Sequence, residues 1–89
     1  MSIGFPNGSR SFDPARGRVR FWGYDGAIEV SFFVDESALR KLCPETSCTE
    51  EGFLAAFDVV RKRIHSVAAK VYARSRNGVD ACSLSASDF

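Results

Sequence analysis

Apolar and polar residues alternate on both sides of Asp25-Gly26, and this is the clearest pattern in the chain. An Asp-Gly pair between two such runs favours a two-residue type I′ turn, because both residue types tolerate positive φ angles. The pattern therefore predicts a β-hairpin over residues 18–34, in which Phe21 pairs with Val30. Because side chains point alternately to the two faces of a strand, one face collects the apolar residues of the hairpin: Val19, Phe21, Ile28, Val30, Phe32 and Val34.

A short helix is predicted directly after the hairpin. Asp35 is a suitable N-cap, and Val34 before it can pack against Leu39 in the first turns of the helix. Cys43-Pro44 would end the helix, because the residue before a proline disfavours the helical conformation.

A longer helix is predicted further along the chain. Ser47 followed by Glu50 resembles a capping box, and Thr49 is a rival N-cap. Asn77-Gly78 would end the helix, since both residues tolerate the left-handed conformation. Its apolar residues recur in alternating steps of four and three, which keeps them on a single stripe: Phe53, Phe57, Val60, Ile64, Val67 and Val71.

The two ends of the chain can add strands to the sheet. Cys82, Leu84 and Ala86 alternate with polar residues, as in a half-buried last strand. The N-terminal segment around Phe5 and Phe12 could form a short edge strand. Together the elements predict an α+β fold of two layers, with the long helix across one face of an antiparallel-rich sheet of three or four strands. The predicted order is β-β-α-α-β, with a possible extra N-terminal strand and the short helix capping one end.

Length and composition limit what the protein can be. A chain of 89 residues buries only one core, so we expect a single domain over residues 1–89. The net charge of +1 exerts no general attraction on nucleic acid or on an anionic membrane. The start of the chain does not read as a secretory signal, and no stretch is apolar enough for a membrane span. Three cysteines without a Cys-x-x-Cys pair indicate free thiols, so we expect a cytoplasmic protein.

The second face of the predicted hairpin carries large rings between charged residues. It receives Arg18, Arg20, Trp22 and Tyr24 from the first strand and Ala27, Glu29, Ser31 and Phe33 from the second. One helix layer covers only one face of a sheet, so this face needs another cover or a partner. Four alternatives are open: the N-terminal side chains of Ile3, Phe5 and Phe12 fold over it, a second copy of the chain binds it, nucleic-acid bases stack on it, or another protein or a small ligand binds it.

Other residues with chemical potential give weaker signals. His65 is the only histidine, and no nucleophile stands at a fixed spacing from it, so a boundary histidine at the edge of the core is the favoured interpretation. Cys43, Cys48 and Cys82 with His65 have a loose spacing for zinc, and no metal site is predicted. The long helix ends in a basic half in which Asp58 is expected to pair with Lys62. That half contains Arg61, Lys62, Arg63, Lys70, Arg74 and Arg76, and a solvated helix face is the favoured interpretation.

Four stretches together resemble a known family. They are FPNGSRSFD near the start, VRFWGYDGAIEVSFFV in the hairpin, AAFDVVRKRIHSVAAKVY in the helix, and the closing DF. The sequence resembles the small bacterial proteins grouped as domain of unknown function family 1488, over about residues 3–89. The resemblance implies a stand-alone cytoplasmic α+β domain of about this size, and it implies no activity, substrate or cofactor.

We therefore predict a non-enzymatic interaction or regulatory module with no cofactor, no metal and no membrane partner. Its partner would be a second copy, in a homodimer, or another protein. The predicted contact surface consists of Arg18, Arg20, Trp22, Tyr24 and Phe33. The alternative is a nucleic-acid-binding module that uses the same rings together with the basic helix end. A small enzyme built around His65 is a third possibility.

Overall fold

The computed structural model describes residues 3–6, 8–74 and 81–89. In this part of the chain the elements are β1 (Arg10–Asp13), β2 (Arg18–Asp25), β3 (Ile28–Asp35), α1 (Glu36–Leu42), α2 (Glu50–Val59), α3 (Arg61–Arg74), β4 (Ala81–Leu84) and a 3-10 turn (Ala86–Asp88). The strands form one mixed sheet in the order β1-β2-β3-β4. The first three strands are antiparallel, and β4 pairs in parallel with β3 because the three helices form the crossover between them. The predicted α+β class is confirmed.

The hairpin turn lies one residue later than predicted. Asp25 pairs with Ile28, which leaves Gly26 and Ala27 as the two turn residues. Gly26 has a φ angle of +63° and Ala27 does not have a positive φ, as in a type II′ turn with glycine at its first central position. The carboxylate of Asp25 accepts a hydrogen bond of 2.6 Å from the hydroxyl of Tyr72 on α3. This contact holds Asp25 within the strand.

The pairing of the two strands shifts accordingly, but the faces do not. Phe21 pairs with Phe32 and not with Val30, so the predicted pairing was wrong. The shift is two residues, and a two-residue shift leaves every side chain on its predicted face. Five of the six residues of the predicted apolar face are buried as expected. The exception is Ile28, which is 62% exposed because it lies beside the turn at the end of the sheet.

The predicted long helix is two helices. Val60 separates α2 from α3 with φ −107° and ψ 19°, outside the α-helical values. Thr49, the rival cap, is the N-cap of α2, and its hydroxyl accepts from the amide of Gly52 at 3.0 Å. The buried residues of α3 follow a spacing of four and not the predicted stripe: Ile64, Ala68 and Tyr72. The predicted end at Asn77-Gly78 lies outside the described residues.

The short helix α1 begins and ends as predicted. Asp35 is its N-cap and accepts from the amide of Ala38 at 2.8 Å, and Cys43 is its C-cap. Leu39 of α1 is fully buried beside the last residues of β3. The helix thereby closes one end of the core between the sheet and α2.

The N-terminal segment lies along the free edge of β2. β1 pairs with β2, and Gly4 forms a further bridge with Tyr24 through two backbone hydrogen bonds of 2.8 Å. The ring of Phe5 packs against Phe32 at 5.5 Å, and the ring of Phe12 stacks on Phe53 of α2 at 5.8 Å. Both rings lie on the helix side of the sheet. The alternative in which these rings fold over the opposite face is therefore wrong.

Candidate interaction surface

The sheet face opposite the helices is the candidate site. We call it the outer face, and its residues on β2 and β3 are Arg18, Arg20, Trp22, Tyr24, Glu29, Ser31 and Phe33. The structure brings together all five residues of the predicted contact surface. Strand alternation places them there, since the residues between them, such as Val19 and Phe21, are buried under the helices.

Two arginine side chains lie over two rings of the outer face. The guanidinium carbon of Arg18 is 3.7 Å from the ring centre of Phe33, and that of Arg20 is 4.9 Å from the ring centre of Trp22. Such cation–π contacts at partly exposed sites stabilise by about 0.5–1 kcal/mol each. The two rings are only partly exposed, and each lies under a guanidinium group.

Polar neighbours hold these arginines in place. Arg20 donates to the hydroxyl of Ser31 at 3.0 Å, and Nε of Arg18 is 3.4 Å from a carboxylate oxygen of Asp13 on β1. Nε of Arg18 makes no hydrogen bond within the described part of the chain, although it is buried. Both guanidinium groups are thus restrained before any partner arrives, which lowers the entropy that binding would cost.

Tyr24 at the other end of the outer face is paired with Glu29. Its hydroxyl donates a hydrogen bond of 2.9 Å to the Glu29 carboxylate. This hydrogen bond, followed by the negative charge of Glu29, raises the pKa of Tyr24 above its ordinary value. Glu29, together with Asp13 beside Arg18, places acidic groups among the two arginines of the outer face.

The tyrosine pair gives a pH-dependent prediction. The Cζ carbons of the two tyrosines in the chain can be followed by ¹³C NMR, with Tyr24→Phe to assign the signals. We expect Tyr24 to titrate above about 10, the ordinary tyrosine pKa, and Glu29→Gln to return its pKa towards that value. Because the folded-state pKa is raised, the pair stabilises the fold below about pH 10 and loses this effect as the pH rises through the raised pKa.

A control separates the Glu29 effect from a general disturbance of the face. Ser31→Ala changes another polar residue on the same strand and is expected to leave the titration of Tyr24 unchanged. An unchanged Tyr24 titration in Glu29→Gln would contradict the pairing seen in the structure.

His65 lies among aromatic rings on the helix side. Its imidazole stacks on the ring of Phe5 at 4.1 Å and 8°, with Phe21 at 5.7 Å and Phe57 at 6.3 Å. Burial, and to a lesser degree the charge of Arg61, lowers the pKa of His65, so its neutral form is favoured. These surroundings are those of a histidine packed at the edge of the core.

The cysteines are not assembled around His65. Cys43 is partly buried beside α1, Cys48 is exposed, and Cys82 is buried on β4, where burial raises its thiol pKa. Within residues 3–6, 8–74 and 81–89, no three His, Cys, Asp or Glu side chains are grouped to hold a metal ion. In the same ranges, no helix combines the length and the apolar character needed to cross a membrane.

The basic residues of the predicted long helix have two kinds of surroundings: Arg61 pairs with Asp58, whereas Arg63, Lys70 and Arg74 line a groove. Asp58 pairs with Arg10 of β1 through two hydrogen bonds of 2.9 Å and with Arg61 at 2.5 Å, so the expected pairing with Lys62 was wrong. The hydrogen bonds from Arg10 are the first cause that lowers the pKa of the Asp58 carboxyl. Arg10 is 48 residues away in sequence, which is why the local i, i+4 rule missed it.

Arg63, Lys70 and Arg74 line this groove and share one side of α3, whereas Arg76 lies outside the described residues. Their spacing of seven and four was the signal in the sequence that could have revealed this alignment. The outer face lies on the opposite side of the sheet from α3, so the structure does not join these cations to the aromatic rings as the nucleic-acid alternative requires.

The fold and this face define a small two-layer α+β domain with a mixed sheet and an open aromatic surface. The family model described as "Protein of unknown function (DUF1488)" matches residues 3–80, and the chain belongs to this family. The family resemblance read from the sequence is confirmed.

One solved structure is similar over almost the whole chain. It is the crystal structure of a protein of unknown function from the DUF1488 family of Shewanella loihica PV-4, with a TM-score of 0.81. The match covers 93% of this chain and 91% of that chain at 19% sequence identity, and it therefore shows the fold alone. No curated protein matches the sequence.

Proposed function

We propose that the protein is a non-enzymatic interaction module that uses its outer face to bind a second copy of itself or another protein. The observation that supports this function is the position of the N-terminal rings. Phe5 and Phe12 pack on the helix side, so among the described residues no second layer covers Trp22 and Phe33. Aromatic rings left on one face of a sheet commonly mark a contact surface.

The composition of the outer face favours a protein partner. Tyr, Trp, Phe and Arg are enriched in protein–protein interfaces and supply most of their strongly contributing residues. The outer face combines all four residue types, and two of its arginines are already held over rings. With two strands of eight residues at its centre, the sheet is roughly 25 Å long, which suits a small interface.

The distribution of charge along the outer face supports a second copy as the partner. Trp22 pairs with Ser31 at the middle of β2 and β3; Arg20 lies two residues to one side, and the Tyr24–Glu29 pair two residues to the other. In a dimer formed by two outer faces, the two-fold axis lies between the sheets. An axis at the level of the Trp22–Ser31 pair and perpendicular to the strands would place Arg20 at the level of Glu29 of the partner subunit. The symmetry repeats this opposite-charge contact on both sides of the axis.

The same contacts disfavour the nucleic-acid alternative. A base would stack on a free ring face, but the guanidinium of Arg18 occupies one face of the Phe33 ring at 3.7 Å. Glu29 adds a negative charge beside Tyr24. Binding to single-stranded oligonucleotides that weakens steeply with salt would support this alternative instead of the protein partner.

Self-association provides the test. The double variant Trp22→Ala, Phe33→Ala is expected to weaken the dimer by at least about 30-fold, which corresponds to about 2 kcal/mol for truncated central aromatic residues. Light scattering over a concentration series measures the mass. In the wild type, the fluorescence of Trp22, the only tryptophan, should shift to shorter wavelengths as the mass increases.

A matched control truncates an apolar residue elsewhere. Val59 is 78% exposed on α2, and Val59→Ala should leave the mass unchanged. If the wild type stays monomeric, the next step is a pull-down with the wild type and the double variant. Monomeric masses for both proteins, together with the same captured partners for both, would argue against the proposed function.

A further inference from the structure

A groove of about 690 Å³ lies between α3 and the 3-10 turn, away from the outer face. We call it the basic groove, and its main lining residues are Arg63, Lys70, Arg74, Val67, Phe89 and Asp88. None of these residues belongs to the outer face. The basic groove is therefore independent of the proposed function.

The cations of the basic groove are aligned along α3. Arg63, Lys70 and Arg74 stand seven and four residues apart, which places them within about 40° around the helix axis and along about 16 Å of it. Consecutive basic residues such as Arg61 and Lys62 point in other directions. The three aligned cations therefore form one straight stripe.

In the part of the chain that the structure describes, none of the three cations forms an ion pair, although Asp88 also lines the groove. Arg63, Lys70 and Arg74 are exposed, and the ion pairs of that part join other residues. The carboxylate of Asp88 is engaged by the backbone amide of Ser85 at 2.8 Å. Lys70 and Arg74 also form an i, i+4 pair of like charge, which destabilises a helix slightly. An anionic ligand would relieve this repulsion.

The bottom of the basic groove is apolar. Val67 of α3 and Phe89 after the 3-10 turn are both partly buried against the core and line the groove beside the cations. A ligand that fits the groove therefore needs acidic groups and an apolar side together. A nucleic-acid backbone would satisfy the cations but not the apolar residues, and a flat membrane surface does not enter a groove.

We propose that the basic groove binds an acidic amphipathic helix of another protein. A helix that packs antiparallel to α3 has the same rise per residue, so acidic residues at i, i+4 and i+11 would each oppose one of Arg74, Lys70 and Arg63. Its leucines would lie between these acidic residues and contact Val67 and Phe89. This is the common binding of an amphipathic helix in a groove, with charge complementarity setting its orientation.

The test uses a fluorescein-labelled amphipathic helical peptide with leucines on one face and glutamates at i, i+4 and i+11. Fluorescence anisotropy should show binding to the full chain that weakens as salt increases. The variant Arg63→Gln, Lys70→Gln, Arg74→Gln should raise the Kd at least about tenfold, because it removes three charge pairs. Circular dichroism checks that this variant, changed only at exposed positions, remains folded.

Controls isolate the groove and the charge. The double variant Arg16→Gln, Lys62→Gln removes two exposed cations outside the groove and should bind the peptide as the wild type does. The outer-face variant Trp22→Ala, Phe33→Ala should also bind it normally, which separates this inference from the proposed function.

Three outcomes would overturn the inference. The first is equal binding of a peptide with glutamine in place of glutamate, and the second is an unchanged Kd in the triple variant. The third is tighter binding of phosphatidylserine vesicles or of a single-stranded oligonucleotide than of the peptide through the same three residues.

Discussion

Replacing Phe32 with alanine is expected to lower the free energy of unfolding by about 3–5 kcal/mol. Phe32 is fully buried on β3, between β2 and β4, and its ring contacts those of Phe21 at 5.3 Å, Phe5 at 5.5 Å and Tyr72 at 6.4 Å. The strands on both sides limit how far the structure can collapse into the cavity. A loss of this size is a large part of the roughly 5–15 kcal/mol that stabilises a small domain.

The matched control is the next residue in the chain. Phe33 has the same side chain and lies on the same strand as Phe32, but its ring lies on the outer face under the guanidinium of Arg18. Phe33→Ala should cost less than about 1.5 kcal/mol, mainly the cation–π contact and the burial of one side of the ring. Urea denaturation of both variants measures the difference. Equal losses would contradict the assignment of the two rings to opposite faces.

Replacing Gly52 with alanine is expected to destabilise the protein by about 1–3 kcal/mol, although alanine is the better helix former by about 1 kcal/mol. A Cβ atom at position 52 would overlap with the carbonyl oxygen of Ser47 and lie 2.8 Å from the Ser47 Cβ. The segment that must move also carries Thr49, whose hydroxyl caps α2 through the amide of Gly52. Steric overlap and a disturbed cap thus outweigh the gain in helix propensity.

Thermal unfolding followed by circular dichroism measures this loss. Gly4→Ala is the control, because a Cβ atom at Gly4 would have no atom within 4 Å, and a change within about 0.5 kcal/mol is expected. A higher melting temperature for Gly52→Ala than for the wild type would show that the loop before α2 does not approach the helix as the structure indicates.

The predicted elements and the outer face depended on local patterns. Alternation around the hairpin was sufficient to assign Trp22 and Phe33 to one face and Phe21 and Phe32 to the other, because an error of two residues in pairing does not change the face. The cap at Asp35 was also predictable, since its partner, the amide of Ala38, is three residues away. The stacking of Arg18 on Phe33 was not predicted, because side-chain conformation depends on neighbours across strands.

The prediction of one long helix was also wrong because it depended on a local pattern. Periodicity alone favoured one long helix, since the apolar residues continue in step across Val60. The structure divides it into α2, which ends at Val59, and α3, which begins at Arg61, with non-helical dihedral angles at Val60 between them. As a result Ala68 and Tyr72 are buried, whereas Val67 and Val71 are only partly buried.

The sequence by itself determined the α+β class, the hairpin of β2 and β3 and the division of its side chains into two faces, because these follow from short-range periodicity and capping. Only the tertiary structure decided the exact turn, the side on which the N-terminal rings pack and the placement of Asp88 and Phe89 beside the cations of α3. Asp25, directly before the turn, accepts a hydrogen bond from Tyr72, which is 47 residues away. Phe5 of the N-terminal segment stacks on His65 of α3. Contacts between residues so distant in the chain form only when the layers pack, and local sequence patterns carry no information about them.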